Sequence, residues 1–198
     1  MSERLAPVVL EGTHVRLEPL SLDHIDSLSQ VVLDPSLWEW TISNPASEAE
    51  LRAYVVEAIR QWDEGSALPF ATFERASGSL VGSTRFGNYE PTHKRIEIGW
   101  TTVAREWQRT AINTEAKLLM LRHAFETLGL ARVELKTDAL NARSRAAIRR
   151  LGAVEEGTLR RHAITDTGRV RDTVYYSILA EEWPAVRSAL EARLSRGA

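Results

Sequence analysis

The spacing of apolar and polar residues changes period several times along the chain, and each change marks an element. Residues 13–20 (THVRLEPL) alternate and predict a first strand. Asp23 opens a helix that runs to about Leu33. Residues 34–45 contain Pro35, Asn44 and Pro45 and read as a loop. Ser47, with Glu50 three positions on, is the signature of a capping box, and the helix behind it continues to Gly65. Residues 68–74 and 79–90 are strands joined at Ser77-Gly78, a hairpin. Residues 94–103 alternate strictly. In the helix predicted over 112–129, the longest of the chain, Leu118, Leu121, Phe125 and Leu128 form one stripe, and Gly129 closes it. A strand over 131–138, a short helix over 141–152 ending at Gly152, and strands over 153–165 and 169–179 around an Asp-Thr-Gly turn come next. The last helix, over 181–194, has Pro184 in its first turn.

Strand, two helices, three strands, helix, strand, helix, two strands, helix is therefore the order. Hairpins dominate, and helices separate strands only in the second half. This predicts a mixed α/β sheet rather than a doubly wound parallel one. A chain of 198 residues fits one domain, expected over 1–198, and buries a core without disulfides or metals. The absence of cysteine excludes a disulfide framework, a thiolate metal site and a cysteine nucleophile. No apolar run approaches a membrane span, and the first residues are too polar for a signal peptide, so a cytoplasmic protein is expected.

The net charge of −2 conceals an asymmetry. Residues 1–100 hold 15 acidic and 8 basic residues, whereas residues 101–198 hold 12 and 17. Much of the excess is arginine: Arg132, Arg143, Arg145, Arg149, Arg150, Arg160, Arg161, Arg169 and Arg171. Guanidinium forks suit phosphate. The other reading is a solvated face paired with Glu155, Glu156 and Asp172. Nucleic acid is not the expected partner, because the pI is near neutral and no recognition motif is present.

The stretch 96–144 carries the chemistry. A strand (RIEIGW) leads through a short loop (AREWQRT) into the long helix, whose free N–H groups form an anion site with Thr110 or Asn113 as cap. IEIGW, WQRTAINTEA and NARSRAAIRRLGA resemble the GNAT acyltransferases along most of the chain. GTLRRH, DTGRVRDTVYYSIL and EEWP are similar to the branch that acetylates ribosomal-protein N-termini. The resemblance implies a central mixed, mostly antiparallel sheet of about seven strands flanked by helices. It also implies acetyl-CoA as cosubstrate and no metal. In the family the loop reads Q/R-x-x-G-x-G/A and its amides hold the CoA pyrophosphate. Here Gln108 fits, Ala111 stands in place of glycine, and Asn113 stands in place of glycine or alanine. Gln108, Arg109, Thr110, Ala111, Ile112, Asn113 and Thr114 are thus the implied cofactor contacts. The altered loop also motivates an alternative, a catalytically weak or inactive module that binds CoA or an amine.

Acetyl transfer needs a base for the amine and an acid for the thiolate. The resemblance points to Glu97 as base. Alternation sets Glu97 opposite Ile96, Ile98 and Trp100, where burial would suit a base; an ion pair with Lys94 or Arg95 is the other reading. For the acid, Ser144 matches a serine of the N-terminal acetyltransferases, and it could equally cap the helix behind it. Asn141 is assigned to the pantetheine arm or the turn. Arg143 and Arg145 are assigned to CoA phosphate or to a solvated face. On the acceptor side, Trp38, Glu39 and Trp40 lie in a loop where two exposed tryptophans around a carboxylate would grip an ammonium; the alternative is that the rings cover the core. Arg85 would serve an acceptor carboxylate. The expected acceptor is an amine, either a small molecule or a protein N-terminus. The terminal helix and paired strands offer a surface for a homodimer.

Overall fold

The computed structural model describes residues 4–196. The chain runs β1 (Leu10–Glu11), β2 (Val15–Pro19), α1 (Ile25–Val32), α2 (Glu48–Asp63), β3 (Leu68–Glu74), β4 (Leu80–Glu90) and β5 (Arg95–Val103). It continues through α3 (Ala111–Arg122), β6 (Arg132–Asp138), α4 (Ala142–Arg150), β7 (Val154–Ile164), β8 (Val170–Leu179) and α5 (Trp183–Arg196). The sheet has eight strands in the order β1-β2-β3-β4-β5-β6-β8-β7. The strand beyond the expected seven is β1, a two-residue edge too short to show a period.

Two helix ends differ in detail from the sequence pattern. Ser47 Oγ accepts from the Glu50 amide (3.3 Å), but the Glu50 carboxylate reaches the Ala46 amide (2.7 Å), so the expected reciprocal cap is displaced by one residue. Helix α3 continues as a wider π turn over His123–Thr127, which closes with the Leu128 amide on the His123 carbonyl at 3.0 Å.

All neighbouring strands are antiparallel except β5 and β6. A parallel pair needs a crossover, and α3 supplies it. The parallel register covers only Arg95↔Arg132, Ile96↔Val133 and Glu97↔Glu134, after which the strands part. Strand β5 bends there. Ser83↔Thr102 is followed by Arg85↔Gly99, so three steps of β5 face two of β4, and Trp100 takes φ +48°. Such a bulge kinks its strand. It also corrects the expected side of Trp100. The ring leaves the Ile96–Ile98 face and lies over Gly87, where a Cβ would overlap it.

Helices α3, α4 and α5 pack on the sheet face of Leu17, Phe70, Phe86, Ile96, Val133 and Tyr176. Helices α1 and α2 cover part of the other face, with Ile25, Leu28, Leu51 and Val55 against Ala71 and Leu80. Over β5, β6 and β8 that second face carries polar side chains. Helix α3 is buried almost all round from Glu115 to Leu121, well beyond the expected stripe. Its buried Glu115 accepts the amides of Thr13 (2.9 Å), His14 (2.6 Å) and Val15 (2.7 Å), which fastens the helix to the β1–β2 turn.

Charge-assisted bonds of this kind are strong, and unmet buried donors are costly. Glu115→Ala is expected to lower the unfolding free energy by about 2–4 kcal/mol. The measurement is the urea midpoint at unchanged slope, with Glu115→Gln losing less.

Candidate active site

Helix α3 begins beside the gap between β5 and β6. Thr110 caps it, accepting from the Ile112 amide (3.3 Å) and donating to the Trp107 carbonyl (2.7 Å). Asn113 lies inside the first turn and is not the cap; its Oδ1 is buried without a donor. Ala111 is already helical, so its methyl carries no backbone strain. The left-handed residue of the loop is Arg109, at φ +64°. Gln108 ties the loop down by donating to the Val103 carbonyl (2.9 Å) and accepting from Arg143 (3.0 Å). An open cleft of about 660 Å³ lies here, lined by Glu39, Trp40, Arg105, Gln108, Arg109, Asn141 and Arg143 among others. A helix amino end flanked by arginines fits a diphosphate group.

The start of α4 resolves another pair of readings. Asn141 is its cap, accepting from the Ser144 amide at 2.9 Å. Ser144 is therefore not the cap, and its hydroxyl holds no hydrogen bond among the described residues; nor does Ser144 line the cleft. Arg143 does. Arg145 is used internally, with Nε on Tyr176 Oη (3.3 Å), Nη1 on the Ala139 carbonyl (3.2 Å) and Nη2 on Glu155 (3.5 Å), so it is not free for CoA. Much of the remaining cluster pairs as a solvated face does, Arg149 with Glu155 and Arg132 with Glu156.

Glu97 is the last residue of β5 paired with β6 and is only 6% exposed. Its partner is neither Lys94 nor Arg95. Lys136 Nζ (2.8 Å) and Asn88 Nδ2 (2.6 Å) both bind Oε2. Oε1 has no donor among the described residues and lies toward Gly99, whose missing side chain leaves it room. Lys136 is pulled two ways. Burial lowers its pKa, but Glu97, Tyr175 and Glu134 outweigh burial and the net shift is upward. Its ammonium also sits 4.7 Å from the centre of the Tyr175 ring. Asn88 reaches Glu97 from an irregular, left-handed position of β4 (φ +49°). Sequence reading missed Lys136, Asn88 and Tyr175. Alternation along 132–138 was a usable signal, since it puts Glu134, Lys136 and Asp138 on one face.

The acceptor assignments are partly overturned. Trp38 is 3% exposed, donates to the Val32 carbonyl (2.6 Å) and packs edge-on to Tyr54, so it belongs to the core. Trp40 and the exposed Glu39 do line the cleft, but the Trp40 ring already receives a cation, the Arg169 guanidinium at 5.2 Å. Their loop is tied to the β7–β8 turn, with the Asp166 amide on the Ile42 carbonyl at 2.9 Å and the Asn44 amide on Asp166 at 3.2 Å. Arg85 is buried between the Tyr54 and Trp100 rings and donates to Gln61 (2.8 Å), away from any surface. Burial pushes its pKa down. Among the described residues no group of three or more His, Asp or Glu is placed to hold a metal, and no helix is long and apolar enough to cross a membrane.

The parted strand pair thus has a helix amino end at its mouth and a buried carboxylate beside it. Residues 14–154 match the acetyltransferase (GNAT) domain family, and the chain belongs to that family of N-acetyltransferases. YdaF of Bacillus subtilis, named as a candidate ribosomal N-acetyltransferase, is 28% identical over 86% of this chain and 93% of its own. A GCN5-related N-acetyltransferase from Brucella melitensis superposes with a TM-score of 0.89 at 32% identity, covering 99% of this chain and 92% of that one. Mycobacterium smegmatis RimJ, solved with CoA-disulfide, gives a TM-score of 0.79 at 26% identity, covering 96% and 94%.

Lys117 supports the bulge from beneath. Its ammonium, buried on α3, donates to Thr84 Oγ1 (2.9 Å) and Thr101 Oγ1 (2.6 Å), and both hydroxyls reach the Gly99 carbonyl (3.3 Å each). Burial lowers its pKa from 10.5 to about 7. Between those pH values the unfolded chain holds the extra proton, so this residue makes stability rise as pH climbs from 7 toward 10. Relative to Lys117→Met, the wild type is expected to gain on the order of 3 kcal/mol over that range. Urea unfolding of both proteins at pH 7 and pH 10 measures it; parallel curves refute it.

Proposed function

We propose that this protein moves the acetyl group of acetyl-CoA to a primary amine at a protein N-terminus, with Glu97 as general base. The observation that supports this is the placement of Glu97. It is a buried carboxylate at the last rung shared by β5 and β6, with one oxygen held by Lys136 and Asn88 and the other free. Acetyl-CoA supplies the thioester carbon that the amine attacks. An amine at neutral pH is protonated and must first be deprotonated. In this reading Glu97 Oε1 takes that proton, directly or through one water, while Lys136 and Asn88 hold the carboxylate in place through Oε2. Gln108, Arg109, Arg143 and the first amides of α3 hold the phosphates. Ser144, freed from capping by Asn141, donates to the departing sulfur. The ribosomal acceptor in the name of YdaF supports a protein N-terminus as the acceptor class.

Glu97→Gln is expected to lower kcat by ~10²–10⁴-fold and to leave acetyl-CoA binding by calorimetry unchanged. Thiol release with N-terminal peptides and small amines is the assay. Turnover untouched by Glu97→Gln refutes the base. Binding without turnover on any amine favours a CoA-binding module.

A further inference from the structure

Among the described residues Arg171 holds no carboxylate. It stands on β8, two residues before Thr173, on the face shared by Glu97, Lys136 and Tyr175. It is 7% exposed. Among the described residues its one side-chain hydrogen bond runs from Nε to Thr173 Oγ1 at 3.1 Å. Nη1 and Nη2 have no partner among those residues. Neither is sealed in, since the buried unpartnered side-chain atoms among the described residues are Arg85 Nε, Asn113 Oδ1 and Arg122 Nε. Both nitrogens therefore remain reachable from the polar face.

The carboxylates around Arg171 already have cations. Glu97 has Lys136, and Asp138 has Arg169 (2.5 Å) with the Leu140 amide (2.8 Å). Farther along the same face, beside Ser177, Glu134 has Arg132 (3.1 Å) and Arg95 (3.4 Å), and Glu156 has Arg132. Burial lowers the pKa of Arg171, against the pull of Asp138, Glu97 and Tyr175. A guanidinium nonetheless stays charged in a protein. A desolvated cation without a counter-charge is costly, and buried charges are ordinarily paired. Its planar fork matches a carboxylate through two parallel N–H bonds. Glu97 lies level with Ser177, and Arg171 stands six residues further along β8, about 20 Å along the strand, but the two side chains lean toward each other on one floor, Glu97 meeting Lys136 beside Tyr175 and Arg171 meeting Thr173.

We propose that Arg171 binds a carboxylate carried by the acceptor, so that the acceptor is an amine with an acid group a few atoms away. This rests on the reading of Glu97's face as the acceptor face. The carboxylate has two sources, the α-carboxyl of a free amino acid or an acidic side chain next to a protein N-terminus.

The test uses acceptor pairs that differ only in charge: alanine against alaninamide, and Ala-Glu-Ala-amide against Ala-Gln-Ala-amide. The wild type is expected to favour the acid in at least one pair by on the order of 100-fold in kcat/KM, and the pair identifies the source. Arg171→Gln is expected to erase that preference by slowing the acid alone, with the KM for acetyl-CoA unchanged. Arg171→Lys, which keeps charge without the fork, is expected to retain part of it. Calorimetry with the N-acetylated forms of the same compounds, in the presence of CoA, repeats the comparison without turnover. Acid-selective binding lost in Arg171→Gln, with no amine acetylated, removes the transfer reading and keeps this one. Equal rates and equal binding within both pairs overturn it, as does a preference that survives in Arg171→Gln. Should Arg171→Gln fail to fold, judged by its thermal midpoint, the wild-type preference and its reduction in Arg171→Lys decide.

Discussion

Strands β5 and β6 run parallel and share three rungs before they part. A hairpin cannot join parallel neighbours, so the chain must travel back along the sheet, and α3 makes that journey. The amino end of α3 is therefore fixed at the end of β5 where the strands separate, and its unpaired amides face the gap. The bulge at Trp100 bends β5 at the same place, with Lys117 and two threonine hydroxyls packed under it. The place of the helix amino end, the gap and the position of Glu97 at its edge all follow from one short pairing. Had the register run on, the strands would have stayed together and no gap would open beside the carboxylate.

The part of the second sheet face that α1 and α2 leave uncovered carries charge at a density a core does not tolerate. Paired charges in a partly dry site exert strong fields but contribute little net stability, since desolvation offsets their attraction. Their arrangement is more informative than their number. Lys136 and Asn88 converge on a single oxygen of Glu97, which leaves the other oxygen free, and Arg169 is shared between Asp138 and the Trp40 ring.

The elements were legible in the sequence because strand and helix periods are written locally. The alternation over 94–103 and the Ser47 cap of α2 needed only neighbours along the chain, whereas the choice between Thr110 and Asn113 as the cap of α3 waited for the structure. Trp100 was misplaced because a bulge adds one residue to the period, and its cause lies across the sheet, in Gly87 and the Lys117 peg. Trp38 and Trp40 look alike in sequence; a carbonyl at Val32 and a ring at Tyr54 draw one inward, and the Arg169 guanidinium from the β7–β8 turn meets the other. The partners of Glu97 were invisible for the same reason. Lys136 is brought to it by strand pairing alone, across nearly forty positions of chain.

Glu115 and Gly12 show how far such dependence extends. The carboxylate that gathers the amides of Thr13, His14 and Val15 fills the space a side chain at position 12 would occupy. The two positions, about a hundred residues apart, therefore behave as one genetic site. A larger residue at 12 is tolerated only after 115 has shrunk or turned away, and changes at the two will not add. In any lineage of this chain, glycine at 12 and glutamate at 115 are expected to be inherited, or lost, together.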